Sequence, residues 1–117
     1  MAEALEFQRD AAYVDGAWIA ADTGRTVAVT DPATGETLGH VPECGKAETA
    51  RAIAAADKAQ PAWRARTAKE RAGILHKLAS LIEANVEPLG RLLTREQGKS
   101  LAEAKGESPS CCLLGLL

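Results

Sequence analysis

Aromatic side chains are scarce in this chain of 117 residues: Phe7, Tyr13, Trp18 and Trp63 are all it has. A core must therefore come from Ala, Leu, Ile and Val. A buried methylene stabilises by roughly 0.8 kcal/mol, so an alanine-lined helix face needs closely packed neighbours to hold it. Cysteine is also sparse, with Cys44, Cys111 and Cys112. An odd count without an export signal argues against a disulfide framework, and the adjacent pair is poorly placed to bridge to itself. His40 and His76 stand at no ligand spacing from a cysteine, so no zinc site is expected. No apolar stretch approaches membrane-spanning length. Neither charge sign dominates: 14 basic and 16 acidic residues intermix to a net −2, leaving no basic stripe for nucleic acid and no acidic tail. The first ten residues, MAEALEFQRD, hold acids and no apolar h-region, which excludes a secretory signal or Arg-rich transit peptide there and makes a cytoplasmic setting the expectation.

What is present reads as one domain at most, since folding at this length removes roughly 60–70% of the unfolded chain's surface from water. In the run YVDGAWI, Asp15-Gly16 is a tight-turn signal flanked by strand formers, because Gly accepts positive φ at no steric cost. A second hairpin is expected from TVAVTDPATGETLGHVP, with Val27 and Val29 alternating before a turn at Thr34-Gly35 and extended structure resuming through Leu38 and Val41.

After Gly45 the period changes to that of a helix through Ala50, Ile53 and Ala54, expected to end or kink near Pro61 with Trp63 just past the stop. Thr67 to Glu70 is a capping box, followed by Ile74, Leu75, Leu78, Leu81 and Ile82 on one helix face. A third helix is expected beyond Asn85, with Pro88 in its first turn, Leu89, Leu92 and Leu93 on one face and Gly98 as its stop. Ser100 to Glu103 offers a second capping box for a fourth, which Ser108-Pro109 should end.

Few side chains suggest chemistry. Cys44 sits at a strand-to-helix junction, where a helix N-terminus lowers a thiol pKa but Glu43 opposes that, so it reads as a spacer. His40 reads as strand decoration and His76 as a solvated helix residue. Glu36 or Glu43 with Glu48 could form an acid and base pair, yet acids at helix starts follow from the macrodipole alone. Gln97-Gly98-Lys99-Ser100 resembles the end of a P-loop, but Leu93 stands where that loop needs glycine. The basic residues from Arg64 to Arg71 alternate with Ala, Thr and Glu and read as a solvated helix entry. Cys111 and Cys112 are imaginable as palmitoylation sites, with no polybasic neighbour in support. The last ten residues, SPSCCLLGLL, carry no charged side chain; a frameshift, a mis-called gene end or a truncated duplicate accounts for such a tail more simply than design does.

Taken in order, YVDGAW, VTDPATGETLGHVP, the helix ending in PAWRA, TAKERAGIL and LTREQGKSLAEAKGE resemble the N-terminal segment of the aldehyde dehydrogenase superfamily, nearest to its NAD(P)-dependent succinate-semialdehyde dehydrogenase type. The resemblance covers residues 13 to about 107. It implies an incomplete α/β fold, two short antiparallel hairpins followed by three to four helices, forming the first part of a cofactor-binding domain. It divides the chain into an arm (1–12), that segment (13–107) and an aberrant tail (108–117). The implied parent chemistry is oxidation of an aldehyde by a cysteine thiolate, a glutamate-activated water and NAD or NADP. In the family those catalytic residues and the cofactor loop lie downstream of the matching segment, so no catalytic, cofactor-binding or metal residue is assigned. The chain is expected to bind no cofactor and to be inactive alone. Association with full-length aldehyde dehydrogenase is an expected partnership, and a helical interaction module for that enzyme or another protein is the alternative reading.

Overall fold

The structure, a computed structural model, describes residue 7 and residues 9–114, with side chains described as far as residue 107. Its elements run β1 Ala12–Val14, β2 Ala17–Ile19, β3 Thr26–Thr30, β4 Thr37–Pro42, α1 Lys46–Ala65, α2 Ala68–Ala84, α3 Val86–Gln97 and α4 Leu101–Leu114. The strands form two separate two-stranded sheets, β1 with β2 and β3 with β4. The expected architecture of two small hairpins followed by helices is what the chain adopts. Two compact units can be distinguished: one holds residues 9–29 and 39–66, the other residues 30–38 and the chain from 67 onward.

In the first unit, β1 and β2 pair antiparallel with Tyr13 opposite Trp18 and Val14 opposite Ala17. Asp15 and Gly16 between them have φ of 50° and 80°, the two left-handed residues of a type I′ turn, whose twist matches that of the flanking strands. The Tyr13 and Trp18 rings lie 5.1 Å apart at 60°, a tilted cross-strand aromatic pair on one face of the hairpin. The Arg9 guanidinium stands 6.0 Å from the centre of the Trp18 ring.

α1 continues through Pro61 and takes in Trp63, so the expected end or kink at Pro61 is corrected. Proline removes the amide bond to the carbonyl four residues back, here that of Asp57. Asp57 and Pro61 are both exposed, which lets water satisfy the freed carbonyl and the helix proceed to Ala65. The expected end at Ser108-Pro109 is corrected in the same way: α4 runs on to Leu114. The preference of a pre-proline residue for extended backbone is a bias that an established helix overrides.

In the second unit, the turn from β3 to β4 is closed by the Gly35 amide donating to the Asp31 carbonyl at 2.7 Å and the Asp31 amide to that of Glu36 at 2.9 Å. Thr67 caps α2 as its sequence requires, accepting from the Glu70 amide at 3.3 Å while Glu70 accepts from the Thr67 amide at 2.8 Å. α3 stops at Gly98, whose φ of 78° supplies the left-handed residue that ends helices. α4 starts at its own box, with the Glu103 amide donating to Ser100 Oγ at 3.4 Å and that hydroxyl donating to Glu103 Oε2 at 3.0 Å. Helices α3 and α4 pack closely at Gly90, where a Cβ would stand 2.9 Å from Lys105 Cγ. Glu87 and Lys105 form an ion pair across the same pair of helices.

Little of this is a conventional core. Among the described residues the buried apolar side chains are Ala21 and Ala104, and no large side chain is fully buried. The scarcity of aromatic residues and the wealth of alanine in the sequence have this as their packing consequence.

Candidate functional site

The most ordered polar arrangement in the first unit joins the segment after β2 to the start of α1. Glu48, in the first turn of α1, is 5% exposed, and its carboxylate accepts from two backbone amides: Gly45 at 3.0 Å and Asp22 at 2.8 Å. These bonds hold its carboxyl below the ordinary range, the Asp22 amide most strongly. One turn along, Arg51 grips the Asp22 carboxylate with both terminal nitrogens, at 2.8 and 2.7 Å. That contact lowers the Asp22 pKa and raises that of Arg51. Asp22 is thus fixed by its backbone to Glu48 and by its side chain to Arg51. This ties a loop to a helix with charges that satisfy one another and leaves none of them poised to act on a substrate.

A second cluster ties the β3–β4 turn to the end of α3. Arg95 reaches Glu36 at 3.1 Å and the buried Asp31 at 3.5 Å, while the other Asp31 oxygen accepts from the Ala33 amide at 2.8 Å. Pro32 closes against Gly98, where a Cβ would meet the proline Cγ at 2.9 Å. Thr94 Oγ1 and Arg71 Nε, in the same unit, are buried without a hydrogen-bond partner. Such atoms cost stability unless water or another group reaches them.

The side chains named from sequence do not converge. Cys44 is an exposed free thiol on the β4–α1 connection, and His40 is exposed on β4. His76 is exposed on α2 and belongs to the other unit. Glu43 pairs with Arg25 at 2.9 Å, and Glu36 with Arg95. Glu48 is occupied by its two amides, so the imagined acid and base pairs do not form. Cys111 and Cys112 lie outside the residues whose side chains are described. Among the described residues no group of three or more His, Cys, Asp or Glu is placed to hold a metal ion, and no helix is long and apolar enough to cross a membrane. Asp22, Arg51, Asp31 and Arg95, which organise the two clusters, carry no local sequence signal, because their partners lie far along the chain.

Helix N-termini attract anions, and this chain has four. Each already holds a glutamate: Glu48 and Glu70 on the cap amides of α1 and α2, Glu87 in the first turn of α3, and Glu103 on Ser100 at α4. A phosphate approaching any of them would meet a carboxylate. Apolar surface, by contrast, is open. Ile74, Leu78 and Leu81 of α2 are 44%, 50% and 54% exposed, and Ile82, Leu89, Leu92 and Leu93 line a groove of about 280 Å³. This is the part of the molecule most available to another body.

Comparison with known proteins agrees with such an incomplete surface. Residues 18–114 match the aldehyde dehydrogenase family. The chain is 63% identical over 99 residues to the glutarate-semialdehyde dehydrogenase of Pseudomonas aeruginosa, a stretch covering 85% of this chain and 20% of that protein. It is 52% identical over 99 residues to the NADP(+) succinate-semialdehyde dehydrogenase of Escherichia coli, again 85% and 20%. Among solved structures, the succinate-semialdehyde dehydrogenase of Burkholderia pseudomallei superposes with a TM-score of 0.85 at 56% identity, over 89% of this chain and 22% of that one. More distant solved relatives, at 28% and 31% identity, are a betaine aldehyde dehydrogenase of Staphylococcus aureus in complex with NAD+ and a glyceraldehyde-3-phosphate dehydrogenase of Bacillus halodurans complexed with NADP. The chain spans about a fifth of the length of the curated relatives it matches. It belongs to the aldehyde dehydrogenase family, as a segment of an enzyme of the semialdehyde dehydrogenase group.

Proposed function

We propose that this chain is the N-terminal scaffold portion of an NAD(P)-dependent semialdehyde dehydrogenase and carries no turnover by itself. The parent reaction is oxidation of a short dicarboxylic semialdehyde, succinate semialdehyde or its homologue, to the acid, in a cytoplasmic setting. The observation that carries this reading is 63% identity over 99 residues to an enzyme five times as long, named for a semialdehyde substrate. The polar chemistry of the chain supports the scaffold role, since its ordered charges are committed to loop and helix contacts.

The dinucleotide of the parent reaction does not fit the described residues. Its phosphates need open amides, and the four helix N-termini present carboxylates instead. The scaffold reading therefore requires that cofactor contacts come from other parts of a complete enzyme. Incubation of the purified chain with succinate or glutarate semialdehyde and either NAD+ or NADP+ should give no NAD(P)H absorbance above a no-protein control. Turnover in any of these combinations sinks the proposal.

A further inference from the structure

The helix α2 carries more apolar surface than its own neighbours cover. Leu75, Ala79 and Ile82 form a half-buried stripe, and α2 packs against α3 and α4. Ile74, Leu78 and Leu81 form a second stripe, offset by about 100° round the helix, and these three side chains are exposed. A helix facing water on one side needs one apolar stripe; apolar character over both arcs belongs to a helix covered on two sides. What remains polar is a single strip through Lys69, His76, Ser80 and Glu83.

We propose that the Ile74, Leu78 and Leu81 face is a docking surface whose occupant is the remainder of an aldehyde dehydrogenase chain, the four-fifths of such an enzyme that this chain does not match. The inference rests on the scaffold reading above and names the face through which the scaffold works. Two facts favour this occupant over a second copy of the chain. The fold superposes with a TM-score of 0.85 on a chain of which it is 22%, so the same helices exist embedded in a much longer polypeptide. The chain's own core is made of small side chains, with no large one fully buried among the described residues, which is the packing of a layer set against a larger body.

The test is co-expression of this full chain with the Pseudomonas aeruginosa relative trimmed of its own 99 matched residues, followed by affinity capture of the trimmed partner. The chain should be captured, and the triple variant Ile74→Gln, Leu78→Gln, Leu81→Gln should be captured about tenfold less. Glutamine keeps helix propensity, so the far-ultraviolet circular dichroism of variant and parent should match. Equal capture of both overturns the assignment of the face while leaving the scaffold reading intact. A dimer of the chain alone, abolished by the variant, assigns the face to a second copy and overturns the proposal. Should the trimmed partner prove insoluble, the same face is tested in a full-length chimera carrying residues 1–107 of this chain in place of the relative's own segment. The triple substitution should lower the chimera's melting temperature and dehydrogenase activity, and an unchanged chimera overturns the proposal. NAD(P)H production by the isolated chain would instead refute the scaffold reading, so the two failures are distinguishable.

Discussion

Glu48 shows how a single residue can serve two parts of a fold. Its carboxylate satisfies the cap amide of its own helix and the amide of Asp22, 26 residues away. A carboxylate stabilised by such bonds titrates lower in the folded chain than in the unfolded one. The same holds for Asp22 beside Arg51 and for Glu87 beside Lys105. Their ordinary values are 3.8 for Asp22 and 4.5 for the two glutamates, so the unfolded chain takes up protons first as pH falls. Their contribution to stability is therefore fully present above that range and is lost as pH drops through the depressed folded values. The melting temperature should hold between pH 7 and pH 6 and fall steadily below about 4.5. Glu48→Gln should melt lower than the parent at pH 7, because an amide nitrogen then faces a donor that the carboxylate had satisfied. Its loss between pH 6 and pH 3.5 should be shallower; a slope equal to the parent's would show that Glu48 does not contribute to the acid transition.

At the scale of the element, α1 contains a residue that works against it. Pro61 lies inside the helix with both itself and Asp57 exposed. Proline in a helix interior costs about 3 kcal/mol relative to alanine. Part of that is offset because proline also restricts the unfolded chain. Pro61→Ala should therefore stabilise the chain by about 1–2 kcal/mol, measured by urea denaturation, together with a small gain in helical circular dichroism. No gain would mean that the ring packs favourably and that α1 depends on it. This element also shows what a sequence can reveal. The Asp15-Gly16 turn, the Thr67 to Glu70 cap and the Gly98 stop were legible because each is decided within a few residues. Pro61 and Pro109 misled because a local rule was weighed without the helix on either side of them. The Asp22–Arg51 and Asp31–Arg95 contacts were illegible for a different reason, since nothing near one partner in the chain points to the other. The candidate chemistry was legible only through family resemblance; the exposed histidines and thiol have no geometry that would have named it.

For the whole molecule the question is whether such a fold behaves as one cooperative body. Cooperative melting comes from apolar surface that is lost to water in the native state and regained on unfolding. Here Tyr13, Trp18, Ile53, Ile74, Leu78 and Leu81 are all between 44% and 65% exposed, so much of that surface is already wet. Helices, however, are held by local caps and by the Glu87–Lys105 and Lys99–Glu107 ion pairs, the latter at 2.6 Å. Surface pairs of this kind contribute about 0–1 kcal/mol each, too little to replace a core. The isolated chain should therefore combine strong helical circular dichroism with binding of a hydrophobic dye and a broad thermal transition. The triple glutamine variant of α2 should bind less dye and stay soluble at higher concentration, because it removes exposed apolar area without removing a buried contact. A sharp melt with no dye bound would mean that the exposed leucines find cover within the chain itself. In that case the α2 face could not be awaiting an enzyme, and a self-sufficient domain would be the better description.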